Sequence, residues 1–153
     1  MENKKFGFEV NTVWQDDRTV QVESPVLRTT ITTVIPPPFR HGSSDYWSAE
    51  HLFLASIASC FTHTFQNLAE LSELPFEDLS CNISGDAEMV NGVLAFHTVL
   101  LFPTLIIPLE TYRGKAESVL EKTEHNCIIG NSVKTKIVIE TKILVSEPVG
   151  ESQ

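Results

Sequence analysis

The chain has 153 residues, enough for one domain with a core of its own and no need of staples. Twenty acidic against eleven basic residues give a formal net charge of -9, which excludes the Lys/Arg surface that nucleic acid or an anionic membrane demands. No uncharged run approaches the roughly 18 apolar residues that span a bilayer. The start, MENKKFGFEV, has positive charge but no apolar stretch behind it, so no signal peptide is read and a cytoplasmic location is expected.

KFGFEVNTVW (5–14) alternates Phe6, Phe8 and Val10 against Lys5, Gly7 and Glu9, the period of a strand. QDDR (15–18) is a polar turn, and TVQVE (19–23) resumes the alternation. The β-branched run LRTTITTVI (27–35) predicts a third strand, which completes a small antiparallel meander. PPPFRHGSSDY (36–46) then interrupts all regular structure, because three prolines remove backbone donors and Gly-Ser-Ser is loop chemistry. A loop of that length between compact elements points to function.

Ser48 predicts an N-cap, with Glu50 in the first turn where the helix dipole favours an anion. One long helix should follow to about Leu71, buried on most faces in its apolar first half, and Leu74-Pro75 should end it. LSCNISGDAEMV (79–90) reads as a strand, Asn91-Gly92 as a type I′ hairpin, and VLAFHTVLLF (93–102) as the returning strand. Pro108 should open a second helix over 109–126, with Cys127 at its end. TKIVIETKILV (135–145) gives a last strand before a polar tail, 146–153. The order β-β-β-α-β-β-α-β predicts a single α+β domain over 1–153, with antiparallel sheets around two long helices.

Cys60, Cys81 and Cys127 lie far apart and form no CxxC pair, so neither a disulfide framework nor a zinc site is expected. A free cysteine is usually a small buried hydrophobe. Cys81, alternating with Leu79 and Ile83, fits that reading. His51, His63, His97 and His125 suggest no metal site either. A Cys60-Cys127-His125 group is disfavoured, because residues two apart on a helix do not face one another.

Cys60 sits in the middle of HLFLASIASCFTHTF. As a nucleophile it must ionise near pH 7, and apolar burial pushes a thiol the wrong way. An active Cys60 therefore calls for a cation beside it and an acid to orient that cation. It meets Cys127 only if the two helices pack side by side, and a disulfide requires Cα atoms about 4.4–6.8 Å apart.

WSAEHLFLASIASCFTHTF, together with EHNCIIGNSVKTKI, resembles the OsmC/Ohr family of thiol-dependent peroxidases, in an OsmC-like branch. The shared pattern is a Glu at the start of the long helix, a Cys ten residues later followed by Phe, and a second Cys near a late Asn-Ser pair. The resemblance implies an OsmC-like fold and an intertwined homodimer with two sites at its interface. It gives Cys60 the peroxidatic role, Cys127 the resolving role and Glu50 the orienting acid. The arginine is Arg18, in the first hairpin turn, or Arg40, ten residues before Glu50. The long loop would carry Arg40 to the pocket mouth, whereas Arg18 beside Asp16 and Asp17 also suits a solvated turn. Ile128 follows Cys127 where many members of the family have proline.

The implied reaction reduces an organic hydroperoxide through a Cys60 sulfenic acid and a Cys60-Cys127 disulfide. No cofactor is implied, only an external dithiol or lipoyl-type reductant. The alkyl group would meet Phe39, Phe61, Phe65 and Ile128. Two other classes fit the same sequence: a catalytically quiet domain binding a small hydrophobic ligand, and a thiol redox sensor. Ten residues of helix separate Glu50 from Cys60 by about 15 Å along the axis and put them on different faces. The Glu-Arg pair is therefore expected from the other chain of a dimer.

Overall fold

A computed structural model describes residues 2–146, so the expected polar tail lies, beyond Ser146, outside the described residues. The chain divides into two compact units, Met1–Phe53 and Leu54–Gln153.

In the first unit, β1 (Asn11–Trp14), β2 (Val20–Glu23) and β3 (Ile31–Thr33) form an antiparallel meander in sequence order. The alternation that begins at Lys5 yields a ladder only from Asn11. The reason is the partner: Asn11 already pairs with Glu23, the last residue of β2, and Ser24-Pro25 follows with one donor missing. Phe6 and Phe8 are left 77% and 91% exposed. Arg18 lies exposed in the turn between β1 and β2, where Asp17 takes a left-handed φ of 57°.

The proline loop closes on itself through backbone bonds from Phe39 to Pro36 (3.1 Å), Gly42 to Phe39 (2.9 Å) and Ser43 to Ile35 (2.8 Å). Arg40 is exposed on this loop. The loop rejoins the meander where Trp47 bridges Thr33.

The long helix α1 spans Ala49–Leu71, with Glu50 in its first turn. Ser48 caps it as its position suggests: the Ser48 Oγ accepts the His51 N–H at 3.2 Å and lies 2.7 Å from the His51 ring Nδ1. Trp47 meets the same ring edge-on, with centroids 6.2 Å apart.

In the second unit, Ile57, Phe61, Phe65 and Ala69 recur every four residues and make one buried stripe on α1. The helix is thus buried along one face, where the sequence suggested burial on most. The sheet that receives the stripe contains β4 (Asp78–Gly85). The next segment, expected to continue the strand, breaks at Asp86 into a separate hairpin of β5 (Glu88–Val90) and β6 (Val93–Ala95). Asn91 and Gly92 turn it with φ of 51° and 78°, as their sequence predicts.

β7 (Thr98–Ile107) is the centre of the sheet and runs five residues beyond the expected end at Phe102. Pro103 is tolerated inside it for a reason visible in the register. β8 (Lys136–Ile139) pairs with Thr98 to Leu101, β9 (Lys142–Val145) pairs with Thr104 to Ile107, and at the level of Pro103 that side of the ladder is interrupted. The last strand of the sequence reading is therefore two strands, both parallel to β7, whereas β4 is antiparallel to it. Two sheets are wholly antiparallel and this one is mixed.

Between β7 and β8 lie a 3₁₀ turn at Glu110–Tyr112, the second helix α2 (Arg113–Asn126) and the short helix α3 (Ile128–Ser132). Leu101, Leu105 and Ile107 of β7 close the core with Phe61, Phe65 and Ala69 of α1 and Ala116, Val119 and Leu120 of α2. Cys81 packs against this core from β4. The architecture is α+β.

Candidate active site

α1 and the α2–α3 junction bring two thiols together in the second unit. Cys60 lies one residue from the buried stripe of α1 and is half-buried, while Cys127 is 4% exposed. Cys127 ends α2 and begins α3 with extended backbone (φ -73°, ψ 110°). That geometry turns the chain so that α3 opens toward Cys60.

Burial raises the Cys60 thiol, but hydrogen bonds to its sulfur reverse the shift. They come from the Ile129 backbone, the Cys127 thiol, the Thr64 hydroxyl and the Ile128 backbone, and they leave Cys60 below its ordinary value. Thr64 stands one helical turn on, 4.0 Å from the sulfur. The donors found in this unit are neutral groups; the cation that the sequence reading required is not among them.

Cys127 shifts the other way. Burial raises it most, the Gly130 N–H at 3.5 Å pulls it down, and the neighbouring Cys60 sulfur pushes it up again. The arrangement favours the thiolate at Cys60 and the thiol at Cys127, each relative to an ordinary cysteine. Both are free cysteines here.

The Asn-Ser pair now has a physical account. The Asn131 side chain donates to the His125 carbonyl at 3.0 Å, its backbone N–H to the Cys127 carbonyl at 2.9 Å, and Ser132 to the Ile128 carbonyl at 2.7 Å. These bonds hold the turn that proline would otherwise restrict at Ile128.

Behind Cys127 lies a cavity of about 170 Å³ walled by Ile57, Phe61, Leu101, Ile137 and Ile139, with Glu124 and Asn131 as its polar lining. Phe61 lines it, beside Cys127; Phe65 is fully buried in the core and Ile128 is 67% exposed. Cys81 is raised by burial, against one hydrogen bond from Thr62, which suits an inert core thiol.

Glu50, Arg40 and Arg18 belong to the first unit, at the start of α1, on the proline loop and in the first hairpin turn. Among the described residues none of the three forms an ion pair. No group of three or more His, Cys, Asp or Glu among those residues is placed to hold a metal ion, and none of their helices is long and apolar enough to cross a membrane.

Sequence reasoning missed the backbone donors of Ile128 and Ile129, which leave no mark in residue type. It also missed Thr64, whose place four residues after Cys60 was a legible signal.

The fold has close parallels among solved structures. An OsmC-like protein of unknown function from Vibrio cholerae superposes with a TM-score of 0.79 at 19% identity, covering 90% of this chain and 99% of that one. An organic hydroperoxide resistance protein OsmC from Legionella pneumophila gives 0.71 at 18% identity, over 94% and 100%. In sequence, the uncharacterized protein YmaD of Bacillus subtilis is 20% identical over 118 residues, 75% of this chain and 79% of YmaD. The family model of OsmC-like proteins matches residues 42–142, about two thirds of the chain, and the chain belongs to the OsmC-like family.

Proposed function

We propose that the protein is a cysteine-based peroxidase that reduces organic hydroperoxides. The observation that carries this reading is the thiol pair: Cys60 on α1, lowered, beside Cys127 at the α2–α3 junction, raised. The Cys60 thiolate attacks the distal peroxide oxygen, the O–O bond breaks, and the alkoxide leaves as alcohol after taking a proton. The sulfenic acid at Cys60 then meets the Cys127 thiol. An S–S bond forms, and the sulfenic oxygen leaves as water. A dithiol restores both thiols by exchange.

The apolar walls of the cavity beside Cys127, Ile57 and Phe61 among them, support an organic peroxide, since hydrogen peroxide has no tail to place among them. Names of structural relatives point the same way, including a hydroperoxide resistance protein from Elizabethkingia anophelis. In this reading the protein works as a homodimer. Glu50 aims the guanidinium of Arg40, or of Arg18, at Cys60 from the second chain, because about 15 Å of helix keeps a chain's own Glu50 from its own Cys60.

The test is consumption of cumene hydroperoxide with a dithiol reductant by wild type, Cys60→Ser and Cys127→Ser. Turnover lost in Cys60→Ser, with an oxidised and stalled Cys60 in Cys127→Ser, is the expected result. A Cys60 still reduced after excess peroxide overturns the proposal.

A further inference from the structure

The hairpin of β5 and β6 lies apart from the thiol pair and turns on the chain's one Asn-Gly step, Asn91-Gly92. Both turn residues are exposed, and Met89, Val90, Val93 and Leu94 beside them are between 42% and 65% exposed. A Cβ built on Gly92 meets nothing within 4 Å, so the turn projects into open space. Val90 and Val93 close the ladder across it. Among the described residues the Gly92 N–H makes no backbone bond and the Asn91 side chain makes no hydrogen bond. An unbonded amide nitrogen, on a residue with no side chain to shield it, therefore follows directly on an unbonded carboxamide.

The other six asparagines lack this combination. Asn11 and Asn82 lie in the ladders of β1 and β4, and the β-branched Thr12 and Ile83 after them crowd the nitrogen that would have to react. Asn67 is held inside α1. The side chains of Asn126 and Asn131 are tied, to the Lys122 carbonyl at 2.7 Å and the His125 carbonyl at 3.0 Å. Asn3 precedes every element, but Lys4 carries a side chain where Gly92 has none.

We propose that Asn91 is a self-modifying site, converted by its own backbone to aspartate and isoaspartate, and that the isoaspartyl product opens the hairpin. In the first step the Gly92 nitrogen gives up its proton to base and bonds to the Asn91 side-chain carbonyl carbon. The bond from that carbon to the amide nitrogen breaks, and the nitrogen leaves with a proton as ammonia. The product is a cyclic imide. In the second step water attacks one of the two imide carbonyls and the ring nitrogen takes a proton. Opening at the side-chain carbonyl gives aspartate, and opening at the main-chain carbonyl gives isoaspartate. Water is the only co-reactant, and nothing is oxidised or reduced.

The two products differ in what they do to the turn. Aspartate tolerates the left-handed φ of 51° that Asn91 holds, and Asp-Gly is itself a type I′ pair, so that product keeps the hairpin. Isoaspartate routes the main chain through its β-carbon and adds a backbone atom to a two-residue turn. The pairing of Val90 with Val93 depends on that turn length and is lost. The His97 ring Nε2 braces the hairpin, 3.2 Å from the Glu88 carbonyl and 3.4 Å from the Val93 carbonyl, and the Val93 contact beside the turn goes first. The α-carboxylate freed at position 91 is the group that an isoaspartyl carboxyl methyltransferase esterifies.

The experiment holds the full chain at pH 8 and at pH 6, digests samples under acid conditions, and maps the peptides by mass spectrometry that separates isoaspartyl from aspartyl products. The mass gain of an amide turned to acid should appear at position 91 roughly tenfold faster than at any other asparagine, because glycine leaves the attacking nitrogen uncrowded. It should slow at pH 6, and methyl transfer by an isoaspartyl carboxyl methyltransferase should count the isoaspartyl share. Asn91→Gly, which keeps a type I′ pair, should abolish both signals in this hairpin. Hydrogen exchange over residues 88–95 should quicken in the isoaspartyl fraction and stay as in the wild type in Asn91→Asp. A mass gain spread evenly over the asparagines, or led by Asn3, overturns the site. Exchange unchanged in the isoaspartyl fraction overturns the opening of the hairpin.

Discussion

Cys127 and Cys60 are neighbours whose interaction pushes the two thiols in opposite directions, Cys60 down and Cys127 up. Removing it should be legible in reactivity. Iodoacetamide should alkylate Cys60 with a midpoint below the roughly 8.5 of an ordinary cysteine. In Cys127→Ala the midpoint should rise, with Cys127→Ser between them because a hydroxyl still donates. A midpoint unchanged across the three proteins would remove Cys127 from the set of groups that activate Cys60.

The opposite shifts also predict a pH dependence of stability. Cys60 is depressed in the folded chain, so its contribution is full above the ordinary cysteine value and is lost as pH falls through its folded value. Cys127 is raised, so its contribution is full below the ordinary value and is lost as pH rises through its folded value. In Cys60→Ser only the second remains. The midpoint temperature of that variant should therefore fall from neutral pH toward pH 10 more steeply than that of Cys60→Ser/Cys127→Ala. Parallel curves for the two would contradict the assignment.

Thr64 offers the smallest perturbation of the site, since it touches the sulfur at 4.0 Å and sits on the same helix. Thr64→Val keeps the shape and removes the donor. A weak hydrogen bond of about 0.5 kcal/mol corresponds to about a twofold loss in alkylation rate at neutral pH. The fold should be retained, and the rate ratio between wild type and variant should vanish at pH 10, where Cys60 is ionised in both.

Asn131 should matter to disulfide formation without touching either sulfur. Its side chain ties α3 back to the last turn of α2 through the His125 carbonyl at 3.0 Å. Asn131→Ala should cost about 1 kcal/mol in stability and slow closure of the Cys60–Cys127 bond by diamide. Ile128→Pro in the Asn131→Ala background should recover part of the rate, because a fixed φ replaces part of the lost restraint. A closure rate insensitive to Asn131→Ala would show that the junction is held by its backbone bonds alone.

What the sequence made legible was what short stretches decide by themselves. Ser48 as a cap, Asn91-Gly92 as a turn and Cys81 as a core thiol each depend on a residue's chemistry within a few positions. The parallel pairing of β8 and β9 with β7 depends on strands more than thirty residues apart, and Pro103 on its own argues against the strand that contains it. The role expected for Phe65 failed for a similar reason: an aromatic four residues after Phe61 shares its face, but only the packed sheet and α2 decide that one lines a cavity and the other fills the core. The thiol pair was legible as a resemblance; its activation by backbone N–H groups was not, because every residue carries one.

Gly42 gives a test of the loop that carries Arg40, separate from the thiols. A Cβ at this position would overlap the carbonyl of Pro36, and no flexible side chain can yield, since the obstacle is backbone. The close approach is fixed from both sides, by the Gly42 N–H to the Phe39 carbonyl at 2.9 Å and the Ser43 N–H to the Ile35 carbonyl at 2.8 Å. Gly42→Ala should therefore break the loop's internal bonds and cost about 1–3 kcal/mol, whereas Gly7→Ala, with nothing within 4 Å, should be neutral. If Arg40 is the guanidinium that serves Cys60, Gly42→Ala should also lower peroxide turnover while leaving diamide-driven closure of the Cys60–Cys127 bond unchanged. If Arg18 serves instead, stability should fall with turnover per folded molecule preserved. Hydrogen exchange over residues 36–46, read beside the turnover rate, separates the two.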